Sequence, residues 1–121
     1  MFQVKADKTQ NLLEIMFTGK VNAEEVKRCV DKVEVLLAGL KPGFALLNDL
    51  SALSEMDIDC APHLSRSMDL CKKAGVGRIV RVIPDPRKDI GLNIMSRFHY
   101  PHKIPIVTCD TLEEAKKILS E

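Results

Sequence analysis

The sequence predicts an α/β fold: a single domain over residues 1–121 with a mixed, largely parallel five-stranded sheet and four helices in the order ββαβαβαβα. Three observations predict it. Apolar residues recur at helical spacing in separate stretches, short β-branched or apolar runs stand between them, and caps or Gly/Pro stops bound the helical stretches. No internal repeat or linker divides the chain.

The first strand pair is predicted from the loose alternation of Phe2 to Lys5 and Leu12 to Thr18, joined by the polar turn Asp7 to Asn11, with Gly19 as the end. Asn22 and Glu25 then form a capping-box start. Val26, Val30, Val33, Leu37 and Leu40 follow at helical spacing, predicting a helix from Ala23 to about Leu40, which Pro42 and Gly43 stop. Phe44 to Leu47 predicts a short buried strand that delivers Asn48 and Asp49 at its carboxyl end, with an acidic loop directly after it. Leu64, Met68 and Cys71 mark the inner face of a second helix ending at Ala74 and Gly75. Arg78 to Ile83 predicts the next strand, closed by Pro84-Asp85-Pro86. A third helix, from about Asp89 to Phe98, is apolar on more than one side through Ile90, Leu92, Ile94, Met95 and Phe98. Ile104 to Thr108 is the last strand. Thr111 with Glu114 starts the terminal helix of Leu112, Ala115, Ile118 and Leu119.

Composition narrows the function classes. The chain has 121 residues, 45% hydrophobic and 29% charged, with a net charge of +1. A chain of this length buries roughly two thirds of its unfolded surface, enough for a core without metal or disulfide staples. MFQVKADK carries no apolar signal region, and no apolar run approaches the ~20 residues of a membrane helix, so a cytoplasmic protein without a transmembrane segment is expected. Cys29, Cys60, Cys71 and Cys109 are scattered, with no pair at two-residue spacing, which points to buried small hydrophobes rather than a zinc or redox motif. Residues 1–60 hold 7 basic and 10 acidic side chains, residues 61–105 hold 9 and 3, and residues 106–121 hold 2 and 4. The middle excess suits one anionic group. With a single Tyr and no Trp it makes no nucleic-acid surface.

Three stretches carry a family resemblance. LLNDLSALSEMD, CKKAGVGRIVRVIP and TCDTLEEAKKIL resemble, in order, the strand and loop before the regulatory serine, the helix-to-strand passage, and the closing strand and helix of the STAS domain. That domain is shared by bacterial anti-sigma factor antagonists and the tails of sulphate transporters, and the likeness runs from about Leu12 to Leu119. It implies a non-enzymatic protein-binding module, without cofactor, whose serine at a helix start is phosphorylated by a partner kinase. With Asp57 on the family's aspartate, Ile58 and Asp59 stand at the serine pair, and Cys60 and Pro62 replace the glycines that usually follow. The switch residue is missing, so a divergent member is implied.

The candidate docking residues are therefore Asp57, Asp59, Cys60 and His63, facing a protein partner. Asp59 also suits a plain helix cap at the positive end of the dipole. Glu55 and Asp49 suit solvated loop charges, since no calcium-loop spacing surrounds them. A second class of function is a small-molecule or lipid carrier. In it, Arg81, Arg87, Lys88 and Arg97 form a basic rim beside Leu92, Met95 and Phe98, a surface that equally suits a homodimer contact. A buried-strand reading instead makes Arg81 a sheet-edge arginine that snorkels. A third class is a cysteine phosphatase built on Cys60 and Arg66, spaced as C-x₅-R; Pro62, the lack of a glycine and the neighbouring Asp57 and Asp59 oppose it. His99 and His102 lie three apart, but Pro101 breaks the helix between them, so no metal site is expected.

Overall fold

A hairpin opens the sheet. β1 (Phe2–Asp7) pairs antiparallel with β2 (Leu12–Val21), Phe2 opposite Phe17 and Asp7 opposite Leu12. Asn11 closes the turn with φ 54°, a left-handed conformation that Asn tolerates. Its side chain also holds the distant Lys41 backbone, accepting from the N–H at 2.9 Å and donating to the carbonyl at 3.1 Å. Leu13, Ile15, Phe17 and Val21 point into the core, alternating with the partly exposed Glu14, Met16 and Thr18. The computed structural model describes the chain apart from Pro86, residues 88–90 and His102, and in the third helix it does not describe the side chains of Leu92, Asn93, Ile94 and Phe98.

α1 (Ala23–Leu37) begins as its sequence dictates: the Asn22 Oδ1 accepts the Glu25 N–H at 2.9 Å. Val26, Cys29, Val30, Val33 and Leu37 form its buried stripe. The helix stops before the expected Leu40. Gly39 and Leu40 turn back onto the Leu36 and Leu37 carbonyls, each at 3.1 Å, tightening the chain out of the α-helical pattern.

β3 (Ala45–Met56) overturns the expectation of a short strand with an acidic loop directly behind it. The strand continues because β2 also runs past Gly19. After register shifts between Met16 and Thr18 and between Gly19 and Lys20, Gly19 pairs with Leu53 and Val21 with Met56. Leu50 and Leu53 are buried along this extension, which a polar-looking local sequence conceals.

α2 (Ala61–Ala74) buries Leu64, Met68 and Cys71 and ends at Gly75, whose φ of 91° forms a left-handed cap. β4 (Arg78–Val82), α3 (Leu92–His99), β5 (Ile106–Cys109) and α4 (Leu112–Leu119) complete the order ββαβαβαβα. The Thr111 hydroxyl accepts the Glu114 N–H at 3.1 Å at the start of α4. The expected start of the third helix at Asp89 lies outside the described residues.

The sheet runs β1-β2-β3-β4-β5, antiparallel only at the hairpin. Successive right-handed crossovers in one direction lay their helices on one face, and α1, α2 and α3 pack together there. α4 folds back under β3, β4 and β5, so the sheet has a larger core above, including Leu13, Val26, Leu46 and Ile79, and a smaller one below, including Leu47, Val80 and Val82. All four cysteines are buried thiols, as their scattered positions predicted.

Candidate functional site

The carboxyl end of β3 hands the chain to α2 through a 3-10 turn at Ile58–Cys60. Asp57 leaves the strand in an extended conformation, its N–H donating to the Val21 carbonyl at 3.2 Å, and its own carbonyl accepts the Cys60 N–H at 3.0 Å. These two bonds hold a raised tip. On it Asp57 and Asp59 are exposed, and between them Ile58 is 88% exposed, an extreme value for a β-branched apolar residue. Beside the tip runs a groove of about 230 Å³ lined by Met56, Asp57, Ile58, Cys60, Ala61 and Leu64.

The expected docking residues divide on this geometry. Asp57 and Asp59 lie on the surface, and His63 is half-buried in the first turn of α2. Cys60 is 1% exposed and sits beneath the tip, with its Sγ 3.9 Å from the Val21 carbonyl, so it supports the turn from below. Asp59 does not cap: neither the 3-10 turn nor α2 has a side-chain cap bond. Pro62 in the first turn of α2 lacks the N–H that such a cap would help to satisfy. Ile58, the exposed apolar residue of this tip, is absent from the docking set expected from the sequence. The signal was present as an apolar side chain set between two acids, Asp57-Ile58-Asp59.

The phosphatase constellation is not assembled. Burial, then the Asp57 charge, pushes the Cys60 thiol above its ordinary pKa, with Asp59 and Glu25 adding to the effect. A nucleophilic thiolate needs the opposite environment. Arg66 faces away from the tip, donating from Nη1 to Asp31 Oδ1 at 2.8 Å and from Nη2 to Glu34 Oε1 at 3.4 Å, which ties α2 to α1.

Arg81 corrects the basic-rim expectation. It is 1% exposed on a strand flanked by β3 and β5, so it neither edges the sheet nor snorkels to water. Its Nη2 donates to the Ser96 hydroxyl at 2.6 Å, turning the inner side of α3 toward the sheet. Met95 is half-buried against the core, and its sulfur accepts from the Ser65 hydroxyl at 3.7 Å. Arg87 is exposed and grips Asp85 two residues back at 2.8 Å. Arg97 is exposed on α3; Lys88 and the side chains of Leu92 and Phe98 lie outside the described residues. Of the expected surface, Arg81 is thus removed to the core.

His99 pairs with Asp69 of α2, Nδ1 to Oδ1 at 2.7 Å, and His102 lies outside the described residues. Among the described residues no three His, Cys, Asp or Glu side chains are placed to hold a metal ion, and no helix is long and apolar enough to cross a membrane.

No protein-family model matches the sequence, and no curated protein matches it. Solved structures do. An uncharacterised protein of the DUF3478 family from Shewanella loihica, described as having a SpoIIAA-like fold, superposes with a TM-score of 0.69 at 16% identity, covering 98% of this chain and 93% of its own. The anti-sigma factor antagonist SpoIIAA in its unphosphorylated form gives 0.64 at 20% identity over 99% and 98%. The phosphorylated form of the Bacillus cell fate determinant SpoIIAA gives 0.63 at 20% identity over 98% and 99%. The chain therefore has the SpoIIAA-like fold that its resemblance to STAS domains implied.

Proposed function

We propose that this protein is a non-enzymatic docking module that binds a protein partner through the tip Asp57-Ile58-Asp59 and the groove beside it. The observation that carries the reading is the exposure of Ile58, 88% accessible between two surface carboxylates. An exposed branched side chain held on a hydrogen-bonded turn is a poor feature for solubility and a good anchor for a partner's pocket. Burying it wholly would contribute about 1.5–3 kcal/mol, or roughly 10- to 100-fold in affinity. Asp57 and Asp59 favour a partner segment that carries Lys or Arg beside its apolar pocket, and they make the encounter salt-dependent.

The similarity to SpoIIAA, an anti-sigma factor antagonist known in unphosphorylated and phosphorylated forms, supports a regulatory docking role. Ile58 has no hydroxyl, so the reading is of docking without a phosphate switch at the tip. Asp59 supplies one negative charge there, where a phosphoserine would bring ~1.5–2 and three acceptor oxygens.

The test is retention of partners from the protein's own cell extract. Wild-type protein should retain a species that Ile58→Asp and Asp59→Lys both release, while Val35→Asp, which alters another exposed apolar residue on α1, leaves retention unchanged. Retention that ignores both tip variants would remove the tip from the function.

A further inference from the structure

The charges of the fold are sorted along its strands. The helices run against the parallel strands, so the last helical turns lie with the strand starts and the first helical turns with the strand ends. The strand-end pole, around the docking tip, is acidic: Glu24 and Glu25 open α1, Asp110 precedes α4, and Glu113 and Glu114 open it. Lys20 and Arg87, the Lys and Arg side chains described there, are already paired with Glu55 at 3.8 Å and Asp85 at 2.8 Å. The strand-start pole is the reverse. Lys8 lies in the hairpin turn, Lys41 between α1 and β3, and Lys72 and Lys73 in the last turn of α2. Arg97 ends α3, Lys103 precedes β5, and Lys116 and Lys117 stand in the last turn of α4. All eight are exposed, and among the described residues none takes part in an ion pair. Of the acids at this pole, Glu34 is held by Arg66, which leaves Asp7 and Glu121.

Backbone contacts fix these segments to one another. The Lys8 Cε lies across the end of α1, 2.7 Å from where a Cβ at Gly39 would stand, and Asn11 clasps the Lys41 backbone. The Gly43 N–H donates to the Gly75 carbonyl at 2.7 Å, joining that connection to the end of α2. The Pro105 carbonyl accepts the Ile79 N–H at 2.9 Å, and Arg78 fastens the end of α4, which brings Lys103, Lys116 and Lys117 to the same side. The helix dipole accounts for Lys72, Lys73, Lys116 and Lys117, which meet negative helix ends. It gives no reason for Lys8, Lys41 and Lys103, which stand outside the helices. Lysines are hydrated point charges on flexible stems, suited to diffuse negative charge rather than to one shaped group. The described aromatic side chains of these segments, Phe44 and Tyr100, are 0% and 6% exposed, so neither offers a base a stacking surface.

We propose that the strand-start pole docks on an anionic phospholipid surface, with the strands upright on it and the acidic tip turned away from the bilayer. Each Lys or Arg held near such a surface adds attraction, and the acids of the far pole are repelled by it, so the polarity orients the protein as well as binding it. The attraction acts within about 8 Å at physiological salt, a reach that the exposed side chains of one pole meet and the other pole does not. The inference does not depend on the docking tip: the two surfaces lie at opposite ends of the sheet, and each can be occupied while the other is.

Co-sedimentation of the whole chain with vesicles of phosphatidylcholine alone, and of phosphatidylcholine mixed with phosphatidylserine, decides it. Expected is binding to the serine-containing vesicles alone, falling about tenfold or more between about 0.05 M and about 0.5 M salt. Lys72→Gln with Lys73→Gln, and Lys116→Gln with Lys117→Gln, should each weaken binding roughly 25-fold, about fivefold per charge. Lys27→Gln with Arg28→Gln removes the same charge from the exposed second turn of α1, away from this pole, and should leave binding within about twofold of wild type. These side chains are exposed and unpaired, so the variants should unfold at the wild-type urea midpoint. Absent binding, equal binding to both vesicles, or an equal loss in the α1 variant would overturn the proposal. So would lipid-free self-association at low salt, basic pole on acidic pole, or a preference for duplex RNA over the vesicles.

Discussion

Asn48 of β3 and Arg81 of β4 stand side by side on the core face of a parallel ladder, an amide next to a guanidinium under two helices. Arg81 is 1% exposed, and a buried cation is tolerated only with its donors engaged. Its Nη2 donates to the Ser96 hydroxyl at 2.6 Å. Ser96→Ala should therefore cost about 1–3 kcal/mol, the range for a buried charged donor losing an acceptor. Urea unfolding should show a lower midpoint with an unchanged slope. Ser54→Ala on the exposed end of β3 should move the midpoint within the ±0.5 kcal/mol typical of surface changes. Equal midpoints for the two variants would show that the Arg81–Ser96 bond holds nothing.

Arg78, at the start of the same strand, does a different job. Its guanidinium donates to the Ile118 carbonyl at 3.2 Å and the Leu119 carbonyl at 2.7 Å, closing the carboxyl end of α4. A cation there also meets the negative end of the helix dipole. Arg78→Met keeps an apolar stem and removes both bonds, so α4 should fray. Amide exchange at Ala115 to Leu119 should speed up about 10-fold or more, the equivalent of roughly 1.4 kcal/mol, while exchange in α1 stays as it was. Parallel acceleration of α1 would mean that the whole fold, not the cap, had weakened.

Why some of this was readable from sequence and some not follows from range. The starts of α1 and α4 were legible because Asn22 with Glu25 and Thr111 with Glu114 act over three residues, and the Gly75 stop of α2 acts on its own turn. The second half of β3 was not. Ser51 to Glu55 reads as a polar loop, and it becomes a strand only because Thr18 to Val21 pair with it after two register shifts. Burial of Arg81 likewise depends on Ser96, fifteen residues away on α3. At the candidate site the acids Asp57 and Asp59 were visible by composition. The outward setting of Ile58 and inward setting of Cys60 came from a 3-10 turn, in which neighbouring side chains take different faces.

Burial pushes the thiols of Cys29 and Cys71 up to about 12 from an ordinary 9.0, and it raises Cys60, Cys109 and the Tyr100 hydroxyl as well. For an acid raised in the folded state, the unfolded chain loses its proton first. Stability from these groups is whole below pH 9 and falls as the pH climbs from 9 toward 12. Each of Cys29 and Cys71 should subtract about 1.4 kcal/mol per pH unit in that window. Urea midpoints at pH 8, 9 and 10 should fall most over the last interval, and Cys29→Ala with Cys71→Ala should flatten that fall. A flat wild-type profile would place both thiols in contact with water.

The last prediction concerns the crossing where β3 and β4 begin. Gly77 N–H donates to the Phe44 carbonyl at 2.8 Å, and Gly43 N–H donates to the Gly75 carbonyl at 2.7 Å, so two backbone segments lie against each other. A Cβ added at Gly77 would meet the Gly43 carbonyl oxygen at 2.7 Å, and that obstacle is backbone, which has no rotamer to escape into. At Gly39 the same 2.7 Å approach is to the end of the Lys8 side chain, which swings away freely. Gly77→Ala should therefore destabilise by about 1–3 kcal/mol, the range for forced backbone shifts. Gly39→Ala should lie within about 0.5 kcal/mol of wild type, helped by the lower entropy of the unfolded alanine chain. Thermal unfolding of the two variants side by side checks this, and a Gly77→Ala protein as stable as Gly39→Ala would show that the β3 and β4 starts are not in contact.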